Sequence, residues 1–243
     1  MQQVLESLRE HHLCRLTRLV HLEQLLARKQ VAASETKHQE FFRQPSLQCR
    51  GQMQWWSCPK PNPYLTRMRI AVFCSSSPTI DPKYVDLAFE LGGAIAANSW
   101  ELVTGGGHIS MMGAVSRGAR QGGGRTIGVI PQALVDIEFA DHDNDELHVV
   151  ETMGERKAMI TDIADAFITL PGGAGTLEEF FEIWVGRYLK FHNKPVVILD
   201  PFGIYNPLHE LVEHLEVENF IKPGMRELIS WTTDVTQALK ACS

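Results

Sequence analysis

The sequence predicts an α/β fold, a doubly wound parallel sheet with helices on both faces, preceded by a basic N-terminal extension. Three observations carry this expectation. After residue 68, short apolar runs alternate with stretches of helical length and period. Several of the runs, such as Pro195-Val196-Val197-Ile198-Leu199, are apolar throughout, as strands covered on both faces require. The composition also breaks near residue 67. Residues 1–67 hold 10 Lys/Arg and 5 Asp/Glu, a net of +5, whereas residues 68–243 hold 13 and 24, a net of −11. Only Gly51 lies before residue 68, and the other 18 glycines follow it. The Pro-rich stretch Cys58-Pro59-Lys60-Pro61-Asn62-Pro63 ends any helix ahead of the break.

Along the chain, residues 4–28 place leucines and valines at helical spacing. Three readings stay open for them: a basic amphipathic helix that docks a partner or a membrane surface, a helix laid on its own domain or a poorly ordered extension, and a segment ahead of the true start. The last is suggested by Met68, which directly precedes the strand Arg69-Ile70-Ala71-Val72-Phe73-Cys74. Strands are predicted at 69–74, 101–104, 126–130, 148–151, 166–170, 195–199 and 227–230. Helices are predicted at 81–98, 111–121, 153–163, 176–190, 205–219 and 232–241. Repeated βα units imply a parallel sheet, and ligands of such sheets sit outside the carboxyl ends of the strands.

Composition excludes several function classes. A net charge of −6 argues against a general nucleic-acid binder. No apolar run reaches 18 residues and no signal-peptide pattern opens the chain, so neither a membrane span nor secretion is expected. The five cysteines are scattered and form no C-x-x-C pair, which suits reduced thiols in a cytoplasm and no metal centre.

The loops after the strands hold the candidate chemistry. The first, Cys74-Ser75-Ser76-Ser77-Pro78, lacks the G-x-G-x-x-G of a dinucleotide enzyme and is either an anion-binding turn or a plain polar one. The second, Thr104-Gly105-Gly106-Gly107-His108, lets backbone approach a ligand closely. The acidic stretch 131–146 has D-x-D-x-D spacing at 141–145. It fails as a calcium loop, because Glu146 stands where glycine is needed and Thr152 where glutamate is needed. Arg156 and Lys157 fall near the start of a helix, where the dipole disfavours cations, so they either face an anion or a carboxylate or are ordinary surface charge. In Pro171-Gly172-Gly173-Ala174-Gly175-Thr176 a buried strand meets a glycine turn and a helix start, with Thr176 near the cap. Backbone N–H groups, a hydroxyl and the helix dipole make a phosphate cradle. No P-loop lysine is present, so a monophosphate is expected, without a cofactor or magnesium. Glu178 and Glu179, read as lying on the first helical turn, would repel that phosphate and are expected to face the sugar or a water, with a carboxylate that steadies the helix dipole as the other reading of Glu179.

These motifs carry a resemblance. Pro171 to Glu179 match the P-G-G-x-G-T-x-x-E pattern of the LOG (Lonely Guy) family, and Val72-Phe73-Cys74-Ser75-Ser76-Ser77, Gly105 through Gly113, Glu155-Arg156-Lys157 and His192-Asn193-Lys194-Pro195 agree in order and spacing. The likeness covers about residues 68–222. It looks more bacterial than plant-like, with Val185-Gly186 in place of a plant-type Thr-Trp pair. The resemblance implies a Rossmann-like fold, a homodimer, and hydrolysis of a cytokinin riboside 5′-monophosphate to free base and ribose 5-phosphate. It places the catalytic roles on Arg156 and Glu179. It places substrate contacts on Glu138, Lys157, Gly172, Gly173, Ala174, Gly175, Thr176, Glu178, Gly106 and Gly107. The small-molecule partner is then a nucleoside 5′-monophosphate. The older family label of possible lysine decarboxylase finds no pyridoxal-phosphate lysine here. Two other readings remain open: a nucleosidase for AMP or nucleotides in general, and a carrier that binds a nucleotide or cofactor without turnover.

Overall fold

The computed structural model describes residues 67–135 and 140–243. The amphipathic stretch 4–28, the rest of the extension through residue 66, and Glu138 lie outside the described residues. The elements run β1 (Arg69–Phe73), α1 (Pro82–Ala97), β2 (Glu101–Thr104), α2 (Ser110–Gln121), β3 (Thr126–Pro131), α3 (Gln132–Val135), β4 (Glu146–Val150), α4 (Met153–Ile163), β5 (Ala166–Thr169), α5 (Ala174–Tyr188), β6 (Val196–Leu199), α6 (Asn206–Val217), a 3₁₀ turn (Arg226–Leu228), β7 (Ile229–Thr232) and α7 (Val235–Cys242).

Local chemistry fixes three of the helix starts. Asp81 accepts from the Lys83 N–H and Pro82 opens α1 with its φ already set. Thr152 accepts from the Glu155 N–H to start α4, and Asp234 from the Gln237 N–H to start α7. Where the expected bounds slip, the cause is visible. β7 begins two residues later than the expected 227, because Arg226–Leu228 close a 3₁₀ turn first. β4 begins at Glu146, since its ladder with β3 starts at Ile127↔Glu146. A short helix, Gln132–Val135, interrupts the stretch read as an acidic loop.

All strands pair in parallel in the order β4-β3-β2-β1-β5-β6-β7. The chain walks outward from β1 to β4, then crosses back to lay β5 against the other side of β1. Successive strand residues face opposite layers. Ile70, Val72, Ile168, Leu170, Val197 and Leu199 pack under α1, α2 and α7. Ala71, Phe73, Phe167, Val196 and Ile198 pack under α4, α5 and α6. Strands buried on both faces explain the continuous apolar runs. Helices α1 and α2 touch through glycine: a Cβ on Gly92 would stand 2.0 Å from the Val115 carbonyl oxygen. No helix among the described residues is long and apolar enough to cross a membrane.

Strand order reverses between β1 and β5. The loops leaving their carboxyl ends diverge there and open a crevice, the place where sheets of this topology hold ligands.

Candidate active site

A cavity of about 270 Å³ opens at this switch point, lined in part by Ser75 and Ser77 from the loop after β1, Met111 from α2, and Pro171, Gly172 and Gly173 from the loop after β5. Its volume is close to the lower end for small-molecule pockets, about 300 Å³.

The loop after β5 ends in an open helix N-terminus. Gly173 is the N-cap of α5 and no side chain caps the helix. Its first backbone N–H groups are therefore left for solvent or a ligand. Gly173, Ala174 and Gly175 are exposed, and a Cβ added at Gly173 or Gly175 would meet no atom within 4 Å. Gly172 has the opposite reason for lacking a side chain: a Cβ there would stand 2.2 Å from Oγ1 of Thr176. Thr176 is buried and is the third residue of the helix, not a residue at its cap as the sequence suggests. The helix starts two residues earlier than expected because glycine, with no side chain, carries the cap position. The phenol of Tyr205 fastens this loop from beneath, donating to the Leu170 carbonyl at 3.0 Å and lying 3.3 Å from that of Gly172. Tyr205 is held in turn by its N–H on Asp200 Oδ2 at 2.7 Å.

The early helix start also moves Glu178 and Glu179 from the first turn of α5 into the second, where the helix dipole no longer accounts for a carboxylate. Glu179 lies four residues beyond Gly175, on the same helix face and about 6 Å along the axis. It meets Arg156, whose Nη1 is 3.3 Å from Glu179 Oε1, and each side chain is only 12% exposed. Arg156 is steered by Nε donating to the Val129 carbonyl at 3.2 Å, and by Gly105, where a Cβ would stand 1.8 Å from its Nη2. Burial pushes the Glu179 carboxyl up to about 7, Arg156 pulls it back in part, and Glu178 adds a smaller upward push. Neither Glu179 nor Arg156 lines the cavity of about 270 Å³; Glu179 borders a separate space of about 10 Å³ with Phe73, Thr161 and Ile183, and a carboxyl poised near neutrality can exchange a proton.

The remaining candidates divide. Lys157 is turned onto α5, where it pairs with Glu178 and with Glu182. Glu178, expected at the sugar or a water, is thus engaged by Lys157. Gly106 and Gly107 are buried, Gly106 at φ +76° against Ile130 and Leu147, so any contact they offer a ligand is backbone. Sequence reasoning missed Gly105, Tyr205 and Glu182 as site residues. Gly105 stood in a quoted motif, but its clash partner 51 positions away is invisible along the chain. The Val129 carbonyl carries no sequence signal at all.

A family model described as possible lysine decarboxylase matches residues 112–242. The chain is 48% identical over 177 residues to the cytokinin riboside 5′-monophosphate phosphoribohydrolase of Mycobacterium marinum, covering 73% of this chain and 94% of that protein. It is 42% identical over 177 residues to the protein of the same name from Rhodococcoides fascians (72% and 89% covered), and 42% identical over 161 residues to one from Arabidopsis thaliana (66% and 75%). Among solved structures, the molybdenum cofactor carrier protein of Chlamydomonas reinhardtii shares the fold, with a TM-score of 0.55 at 24% identity over 72% of this chain and 95% of that one. The strand order, the glycine loop and these likenesses together place the chain in the LOG family, the family whose model is described as possible lysine decarboxylase.

Proposed function

We propose that the protein hydrolyses the N-glycosidic bond of a cytokinin riboside 5′-monophosphate, releasing the free base and ribose 5-phosphate. The observation that carries this reading is the buried Arg156–Glu179 pair set one helical turn below an uncapped glycine loop. A 5′-phosphate on the N–H groups of that loop would direct the ribose along α5, toward Glu179. Breaking the C1′–N bond leaves its electron pair on the base and builds positive charge at C1′ and the ring oxygen. The Glu179 carboxylate stabilises that charge and takes a proton from the water whose oxygen bonds to C1′. The proton Glu179 has taken then passes, through solvent, to the departing base, which restores the carboxylate, so that substrate plus water gives free base plus ribose 5-phosphate. Arg156 holds Glu179 in place and offers its outer face to the sugar phosphate.

Relatives from bacteria and plants carry the cytokinin phosphoribohydrolase name, which supports the cytokinin substrate over AMP. Neither Lys157 nor Lys194 is placed as an imine-forming amine. The first is clamped between carboxylates, and the second donates to the Thr161 carbonyl at 2.5 Å and the Asp162 carbonyl at 3.1 Å. A cytoplasmic homodimer belongs to the same proposal, supported by the scattered thiols and the family resemblance, and sedimentation of the purified protein tests the dimer. Incubation with isopentenyladenosine monophosphate and with AMP, followed by chromatography of free base, tests the activity. Base released faster from the isopentenyl substrate supports the reading. Preference for AMP gives a general nucleosidase, and binding without release gives a carrier, the role named for the fold neighbour.

A further inference from the structure

Lys157 and Glu182 form a cluster that the reaction outlined above does not use. The Lys157 ammonium is 2.5 Å from Glu182 Oε2 and pairs also with Glu178 Oε1, and its side chain is 19% exposed. With Phe73, Thr161, Glu179 and Ile183, the two residues line a cavity of about 10 Å³, space for one water at most. One ammonium between two carboxylates leaves the trio at net −1, which does not attract a phosphate. Lys157 is the fifth residue of α4, past the first turn where the helix dipole acts, so its pairing with the acids of α5 is what holds it there.

We propose that Lys157 and Glu182 are positioning residues for Glu179: with Glu178 they clasp α4 to α5 beside the Arg156–Glu179 contact and fix both the aim of the Glu179 carboxylate and the charge it meets. This rests on Glu179 being the working carboxylate. Glu178, Glu179 and Glu182 crowd one side of α5, and like charges at such spacing repel. Lys157 is the cation that lets them share it. The charged and titratable groups facing Glu179 are Arg156 and Lys157 from α4 and Glu178 and Glu182 from its own helix. The Cys74 thiol at the end of β1 completes the set, kept protonated first by burial and then by Glu179 itself.

The test is the pH dependence of kcat for the full chain on isopentenyladenosine monophosphate, with ¹³C-glutamate NMR titration as a second readout and Glu179→Gln identifying the resonance. Lys157→Met is expected to raise the Glu179 midpoint by about one pH unit, lowering kcat near pH 6 by up to about tenfold while kcat recovers at pH 9. Glu182→Gln is expected to lower the midpoint, a change of opposite sign that a generally damaged fold would not give, and it decides the matter if Lys157→Met does not fold. A large rise in KM for Lys157→Met at an unmoved midpoint would overturn the proposal and make Lys157 a substrate ligand. Unmoved titrations in both variants would overturn it too. If the wild type releases no base, the hydrolase reading fails, and the NMR titration still decides the clasp.

Discussion

Replacing Glu179 by Gln should make the protein more stable, and more so as pH rises. Glu179 sits at about 7 in the folded protein against an ordinary 4.5, with burial the largest cause and the Arg156 guanidinium only a partial offset. The sign follows from linkage. A folded value above the unfolded one means that the protonated carboxyl favours the fold fully below pH 4.5, and that this advantage is gone once pH has risen through 7. For one group with these two values, ionisation destabilises the fold by about 1 kcal/mol at pH 5 and about 3 kcal/mol at pH 7. Glutamine is close in shape to the protonated acid and never ionises. The variant should therefore exceed the wild type by about those amounts at the two pH values. Urea unfolding at pH 5 and pH 7, at matched protein concentration because an oligomer's stability depends on it, gives both differences. A Glu179→Gln protein less stable than wild type at pH 7, or a difference that does not grow with pH, would refute the burial argument and with it the reason for a carboxyl poised near neutrality.

Other outcomes follow from the same geometry. Glu179→Gln should lose about a thousandfold or more in kcat while still binding nucleotide, which calorimetry with unreactive variant and substrate can measure. In the wild type, kcat should rise with pH through a midpoint of about 7, because the carboxylate is the working form. A falling profile would assign Glu179 the role of acid. Nucleosides without the 5′-phosphate should be poor substrates by kcat/KM, since the open end of α5 then holds nothing. Gly105→Ala should displace the Arg156 guanidinium and cut kcat by about tenfold with the fold retained, whereas Gly92→Ala should destabilise the fold by about 1–3 kcal/mol in denaturant titrations, because its Cβ would meet a backbone oxygen of α2.

The amino-acid order determined the layers. Each strand buried on both faces needs an apolar run, and each helix between strands needs an amphipathic one, so β1 through β7 are legible within about two residues. The glycine loop before α5 and the basic pair on α4 were legible too, because their spacing is local. Helix caps were less so. A Thr in a glycine-rich stretch reads as the cap, yet the helix began at Ala174, with Gly173 at the cap and Thr176 buried inside the first turn. What only the tertiary structure decided are the meetings of residues far apart in sequence. Arg156 reaches Glu179 across two helices, Gly105 leaves the space for the guanidinium, and Tyr205 holds the loop from the far side of β6. Burial of Glu179 belongs in the same class. The sequence sets Glu179 toward the sugar or a water but carries no sign of its burial, and it becomes a group poised near pH 7 only when the sheet, α4 and α5 close around it and remove water that would otherwise favour its charge.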